Sequence, residues 1–258
     1  METSSLFNVK GKTVLITGGA KGIGRMMAEG FLANGATVYL AGRSSKDLDA
    51  AVSSLSHLGP VHAVPANLQD LSACKALVAA LPPSGLHVLV NNAGAAWGEE
   101  LDTYPDDAWT KVLTLNLQRA FTLTQLCLPL MEKVATPEDP ARVIHIGSID
   151  GIRAPVVQNF AYSASKAGLH QLSHHLAREL GPRHITSNVI ACGPFETKMM
   201  KGTLDAMGDH IRAELPLRRI GQPEDVAGTA LFLSSRAGAF CNGALIRVDG
   251  GASLVSKL

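Results

Sequence analysis

The sequence predicts an α/β fold: a single doubly wound Rossmann-type domain with a seven-stranded parallel sheet and helices on both faces. Seven short β-branched runs recur along the 258-residue chain. Between them lie helix-length stretches with apolar residues at three- and four-residue spacing, so the strands need crossover connections and pair in parallel. The early runs are continuously apolar rather than alternating, as burial on both faces of a sheet requires.

The strands are read, in order, at TVLITG from Thr13, ATVYLAG from Ala36, VHAVPA from Val61, HVLVNNAG from His87, RVIHIGS from Arg142, ITSNVIA from Ile185 and ALIRVDG from Ala244. Helical periodicity is clearest over residues 26–34, 71–81, 109–131, 167–180 and 223–233. The stretch 134–141, VATPEDPA, reads as an exposed loop, and 193–216 as an irregular substrate lid whose Met199, Met200, Leu204 and Met207 make it apolar. With no Pro/Gly/Ser-rich linker, residues 1–258 form one domain.

Composition narrows the function classes. Hydrophobic residues at 46% and charged residues at 17% are those of a globular chain. The 23 Lys and Arg nearly balance the 22 Asp and Glu, so no bulk field favours nucleic acid or an anionic membrane, and any anion site must be local. Cys74, Cys127, Cys192 and Cys241 show no CxxC or zinc-site spacing and are expected to be reduced thiols. The N-terminal METSSLFNVKGK lacks the apolar core of a signal peptide, and no later stretch is long and apolar enough to cross a bilayer, so an intracellular protein is expected.

The chemistry begins at LITGGAKGIG, which places Gly18, Gly22 and Gly24 between the first strand and the first helix. Glycines there permit a tight turn and a close approach of backbone to a pyrophosphate, with the helix N-terminus supplying donors. A turn of this kind after a strand, in the first unit of an alternating chain, predicts dinucleotide binding. The second strand ends LAGRSS without the carboxylate that would bond a ribose 2′-hydroxyl. Instead Arg43, with Ser44 beside it, is placed to meet a 2′-phosphate, and Lys21 offers a second cation. The cofactor expected is NADP(H). Two solvated surface cations are the competing reading.

In FAYSASKAG, Tyr162 and Lys166 are four apart and share a helix face. A phenol titrates near ~10 and an ammonium one turn away lowers that value by stabilising the phenolate. Ser148, ending the fifth strand, is placed to share a substrate oxygen. The alternative is an ordinary exposed Tyr/Lys pair. Ser163 to Lys166 also spells S-x-x-K, but the SDN and KTG signatures of serine hydrolases are absent. His170, His174 and His175 lack the glutamate of HExxH, so they read as a helix face and no metal is expected.

With these pieces the chain resembles a short-chain dehydrogenase/reductase almost end to end, through TGGAKGIG at 17–24, NNAG at 91–94, Asn116 in LTLNL, Ser148, Tyr162-x-x-x-Lys166 and VDGG. The resemblance implies that Tyr162 donates a proton to a carbonyl oxygen, Ser148 orients that oxygen, Lys166 holds the nicotinamide ribose and Asn116 supports a proton-relay water. It places Ile23, Asn67, Leu68, Asn92 and Gly94 around the cofactor and brings 195–197, with Phe195 and Thr197, over the nicotinamide. It departs from the family at Cys192-Gly193, where a Pro-Gly pair is usual. NNAGAAWGEELDTYP and DPARVIHIGSIDGI are most similar to NADPH-dependent 3-oxoacyl reductases, implying a ketone or acyl thioester substrate, and the family resemblance as a whole implies a homo-oligomer, a tetramer. A polyol, sugar-acid or secondary-metabolite (polyketide-like) ketone, and a non-catalytic NADPH-binding sensor or scaffold, are the alternatives. The final Ser256-Lys257-Leu258 matches a peroxisomal address, read by an import receptor if exposed and hidden if packed against a second subunit; otherwise the protein is expected in the cytoplasm.

Overall fold

A computed structural model describes residues 2–198 and 200–255. The elements are α1 Thr3–Leu6, β1 Thr13–Thr17, α2 Gly22–Ala33, β2 Thr37–Gly42, α3 Ser45–Leu55, β3 Val61–Pro65, α4 Leu71–Ala79 and β4 Val88–Asn91, then α5 Asp106–Leu113, α6 Arg119–Glu132, β5 Ala141–Ser148, α7 Phe160–Leu180, β6 Ile185–Cys192, α8 Lys201–Glu214, α9 Pro223–Ser234 and β7 Leu245–Val248. All seven expected strands are present. They form one parallel sheet in the order β3-β2-β1-β4-β5-β6-β7.

The two-residue period of a strand distributes the apolar runs to two cores. Val14 and Ile16 of β1, Val88 and Val90 of β4, and Ile144 and Ile146 of β5 face one core, which Met27 and Phe31 of α2, Leu48 of α3 and Val226 of α9 complete. Leu15, Leu89 and Val143 face the other, closed by Leu77 of α4, Leu123 and Met131 of α6, and Leu176 of α7. The central strands β1, β4, β5 and β6 are buried along their full length, which explains the apolar runs of β1 and β4, while β5 and β6 also bury polar residues such as His145 and Asn188; β7, at the edge, is partly open.

The sheet order reverses between β1, which continues to β2, and β4 on its other side, opening a crevice at the carboxyl ends of these strands. A partly buried ion cluster secures the opposite end. Arg142, 1% exposed at the start of β5, bonds Asp139 and donates to the carbonyls of Leu233 and Ser235, while Lys12 reaches the same Asp139 at 2.7 Å.

Two stretches depart from expectation. The helix read over 109–131 is α5 and α6 joined by a π-helical segment, Thr114–Gln118. The segment 193–216, expected to be irregular, contains α8, bent at Met207 where φ is −138°. Met199 and the Ser256-Lys257-Leu258 tail lie outside the described residues.

Strand β5 and helix α7 approach so closely that only glycine fits between them. A Cβ on Gly147 would lie 2.3 Å from His170 Nε2 and 2.7 Å from Val189 Cγ1. Gly147→Ala is therefore expected to lower stability by ~1–3 kcal/mol through overpacking. Gly228→Ala, in the exposed face of α9 with nothing within 4 Å of the added Cβ, should raise it by ~0.5–1 kcal/mol. Urea unfolding of both variants checks the contrast.

Candidate active site

The glycine turn leaves β1 at Thr17 and enters α2. Gly18 and Gly22 have φ of +64° and +53°, the left-handed region that a side chain disfavours. Gly24 is required for packing: a Cβ there would stand 2.5 Å from both Asn92 Nδ2 and the Gly18 carbonyl oxygen. Asn92, just after β4, donates its amide to the carbonyls of Thr17 at 2.7 Å and Gly18 at 3.2 Å. The Thr17 hydroxyl accepts from the backbone N–H groups of Asn92 and Ala93, both at 2.9 Å, and donates to Val90 O. These bonds clamp the turn across the reversal of sheet order.

The turn suits a dinucleotide phosphate. Lys21, the N-cap of α2, is extended and no side chain caps that end, so the helix presents its first N–H groups and its positive dipole end to the crevice. Ile23 beside them is half-buried. Thr197, past β6, lies over the turn: its Cγ2 is 3.2 Å from where a Cβ on Gly22 would be. At the far end Arg43 is exposed, with no ion-pair partner among the described residues, and Ser44 caps α3 by accepting from Asp47 N. Asn67 is exposed and Leu68 buried beyond β3. The Phe195 ring is turned into the core, 1% exposed, so it presents only backbone to the crevice.

On α7, Tyr162, Lys166 and His170 share one face at four-residue spacing. Lys166 is buried; its Nζ donates to Ile146 O at 2.6 Å and stands 5.5 Å from the centre of the Tyr162 ring. Burial lowers the Lys166 ammonium from its ordinary value to about 8. Against the lowering expected from Lys166, burial raises the Tyr162 phenol above its ordinary value, with only the Ser148 hydroxyl pulling the other way by hydrogen bonding. Ser148 ends β5, and its hydroxyl accepts from Asp150 N at 3.1 Å. The three residues thus meet at one point, as the chemistry of a shared oxygen requires.

Asn116 sits in the π-helical segment, where the widened turn points it inward. Its carboxamide accepts from Ala95 N at 2.8 Å and donates to Ala95 O and Ser165 Oγ, both at 2.9 Å. It holds the loop after Gly94 against α7.

The comparisons agree with this geometry. A family model described as enoyl-(acyl carrier protein) reductase matches residues 18–253. The chain is 41% identical over 249 residues to the rhamnolipids biosynthesis 3-oxoacyl-[acyl-carrier-protein] reductase of Pseudomonas aeruginosa, covering 95% of this chain and 97% of that protein. The chain is a short-chain dehydrogenase/reductase. A 3-oxoacyl-[acyl-carrier-protein] reductase of Thermotoga maritima is 33% identical over 94% of the chain and 98% of its own length. Among solved structures, the Pseudomonas aeruginosa RhlG/NADP active-site complex superposes with a TM-score of 0.93 at 40% identity, over 98% of this chain and all of that one.

Several residues of this dehydrogenase/reductase site escape a reading of motifs alone. Thr17 and Asn91 open the TGGAKGIG and NNAG motifs, but neither motif by itself assigns them their hydrogen-bonding roles. Asn91 donates to Thr124 Oγ1 and Ala120 O. His145 and His170, fully and nearly fully buried, lie behind Lys166; burial, then the nearby ammonium, holds them at about 3 and about 4, so both are neutral at physiological pH. Their proximity depends on the β5–α7 contact, which no spacing reveals. Asp150, its carboxyl raised by burial, is bonded by Asn159 Nδ2 at 2.9 Å.

In the cofactor-free enzyme Lys166 should lose its proton near pH 8 rather than near its ordinary 10.5. NMR of side-chain-labelled lysine should show one resonance titrating there and absent from Lys166→Met. A lysine set that titrates entirely above pH 10 would refute the assignment.

Proposed function

We propose that the protein is an NADPH-dependent carbonyl reductase acting on a 3-oxoacyl thioester. The observation that carries this is the meeting of Ser148, Tyr162 and Lys166 at the mouth of a crevice whose other wall is the glycine turn. Bound nicotinamide supplies the hydride to the carbonyl carbon. The protein supplies the rest. Ser148 and Tyr162 hold the carbonyl oxygen between two hydroxyls, and the phenol gives up its proton to that oxygen as negative charge develops. Lys166, cationic below about pH 8, stabilises the phenolate left behind. Asn116 keeps the Ala95 backbone and α7 in register while this happens.

The cofactor assignment is supported by Arg43 and Lys21 at the end of β2 and in the turn, by the missing carboxylate there, and by the NADP complex of the structural neighbour. An acyl substrate, rather than a polyol or sugar acid, is supported by the rim. Trp97, Ile152, Val156, Val157 and Met207 are all exposed, on segments that follow the carboxyl ends of β4, β5 and β6. The loops after β4 and β5 touch through Glu99 N to Gln158 O at 3.2 Å. An apolar rim suits a hydrocarbon chain and offers a polyol few partners.

The homotetramer stays part of this reading. Leu113, Leu117 and Phe121 of the α5–α6 helix, with Gly168 and Leu172 of α7, line an open apolar groove, and Phe121 is 44% exposed. We assign it to a second copy of the chain, which sedimentation velocity reads directly. Ser256-Lys257-Leu258 supports a peroxisomal address and, with it, a CoA thioester as substrate.

Tyr162→Phe removes the proton donor without disturbing the cofactor crevice. NADPH oxidation with a 3-oxoacyl-CoA should fall by ~100-fold or more while NADPH still binds by calorimetry; retained turnover would refute the mechanism. Fluorescent fusions ending with and without the last three residues should be punctate and diffuse respectively, and identical diffuse patterns would remove the targeting assignment.

A further inference from the structure

The second cation expected at the 2′-phosphate is already engaged. Lys21 Nζ lies 2.6 Å from Asp47 Oδ2, and the two side chains are 53% and 37% exposed. Asp47 is the third residue of α3, directly inside the Ser44 cap, so its carboxylate also sits at the positive end of that helix. Lys21 is the stronger influence holding the Asp47 carboxyl below its usual range, with Lys198, on the loop after Thr197, adding a smaller pull. Asp47 therefore stands between Lys21 and Lys198, with Arg43 four residues back in the chain. That is the local environment an incoming phosphate dianion would seek.

We propose that Asp47 is a specificity-determining residue that competes with the 2′-phosphate of the cofactor for Lys21. This rests on the NADP(H) reading above and goes beyond it. Arg43, with no ion-pair partner among the described residues, is the group that gains a contact outright when the phosphate arrives. Lys21 must exchange one anion for another, so its net gain is small. Asp47 and the phosphate would also repel each other across the same helix end. Such an arrangement keeps Lys21 neutralised and its side chain placed when the crevice is empty, and it limits how tightly the phosphorylated cofactor is held. A cofactor without the 2′-phosphate leaves the Lys21–Asp47 pair intact.

Asp47→Asn keeps the side-chain volume and the Ser44 cap, which uses the Asp47 backbone N–H, and removes the carboxylate charge that Lys21 pairs with. Calorimetric titration of the purified, full-length enzyme with NADPH and NADH should show Kd for NADPH falling about two- to fivefold, the range of one exposed ion pair, and Kd for NADH unchanged. The gain should shrink in 0.5 M salt, which screens exposed charges. Asp47→Glu, which keeps the charge, should bind both cofactors as the wild type does. A wild type that binds the two cofactors equally would refute the 2′-phosphate reading itself. A wild type that prefers NADPH, together with an Asp47→Asn that changes neither Kd, changes both alike or weakens NADPH, would refute the competition and leave the cofactor reading standing.

Discussion

The burial of one ammonium group governs the design of this site. Lys166 lies in the interior of the crevice, and a cation taken out of water is costly unless its donors are satisfied. Its bond to Ile146 O requires helix α7 to lie almost on the backbone of β5. Much of the local sequence follows from that demand. Gly147 and Gly151 flank Ser148 because a Cβ at either would collide with His170 or with the α7 backbone. His145 and His170 can occupy the space behind the lysine because burial and the nearby positive charge keep both neutral.

The same close approach aligns the chemistry. Tyr162 sits one turn before Lys166, so fixing the lysine also fixes the phenol, and Ser148 is delivered by the strand to which the lysine is bonded. The site is thereby built on a helix and a strand, not on a loop, which gives the reacting groups little freedom to drift. Across the crevice the cofactor wall is held by a separate device, the Thr17 hydroxyl and the Asn92 amide, which bind the glycine turn to the end of β4 where the sheet order reverses. The two walls meet through Asn116, whose carboxamide spans from Ala95 to Ser165.

Function on this scaffold divides by region. The β1, β4, β5 and α7 parts supply the proton and hold the cofactor, while the segments after β4, β5 and β6 carry exposed apolar side chains and govern what enters. In the proposed reading, the charge pattern around α3, with Asp47, Lys21 and Arg43, is a third region that bears on the cofactor's identity. Substitutions in one region should leave the others largely unaffected, because few side chains are shared between them.

Much of this was legible in the amino-acid sequence alone. Continuous apolar strands alternating with helical periodicity admit few architectures other than a doubly wound parallel sheet, and all seven strands lie where those runs stand. The glycine turn, Ser148 and the Tyr162–Lys166 pair were also readable, because each depends on local geometry: a turn, a strand end, one helical repeat. Other features depend on contacts between residues far apart in the chain, and only the tertiary structure decided them. The role of Asn116 arises from a π-helical segment closing on Ala95 and Ser165, the neutral histidines from helix–strand contact, and the Lys21–Asp47 pair from the meeting of a turn and a helix end. The helix within 193–216 was missed for a related reason: its apolar face is completed by Ile149, Leu215 and Ile220, and its own periodicity is broken at Met207. Local spacing can place a side chain on its element, but the partner it meets depends on how the elements pack.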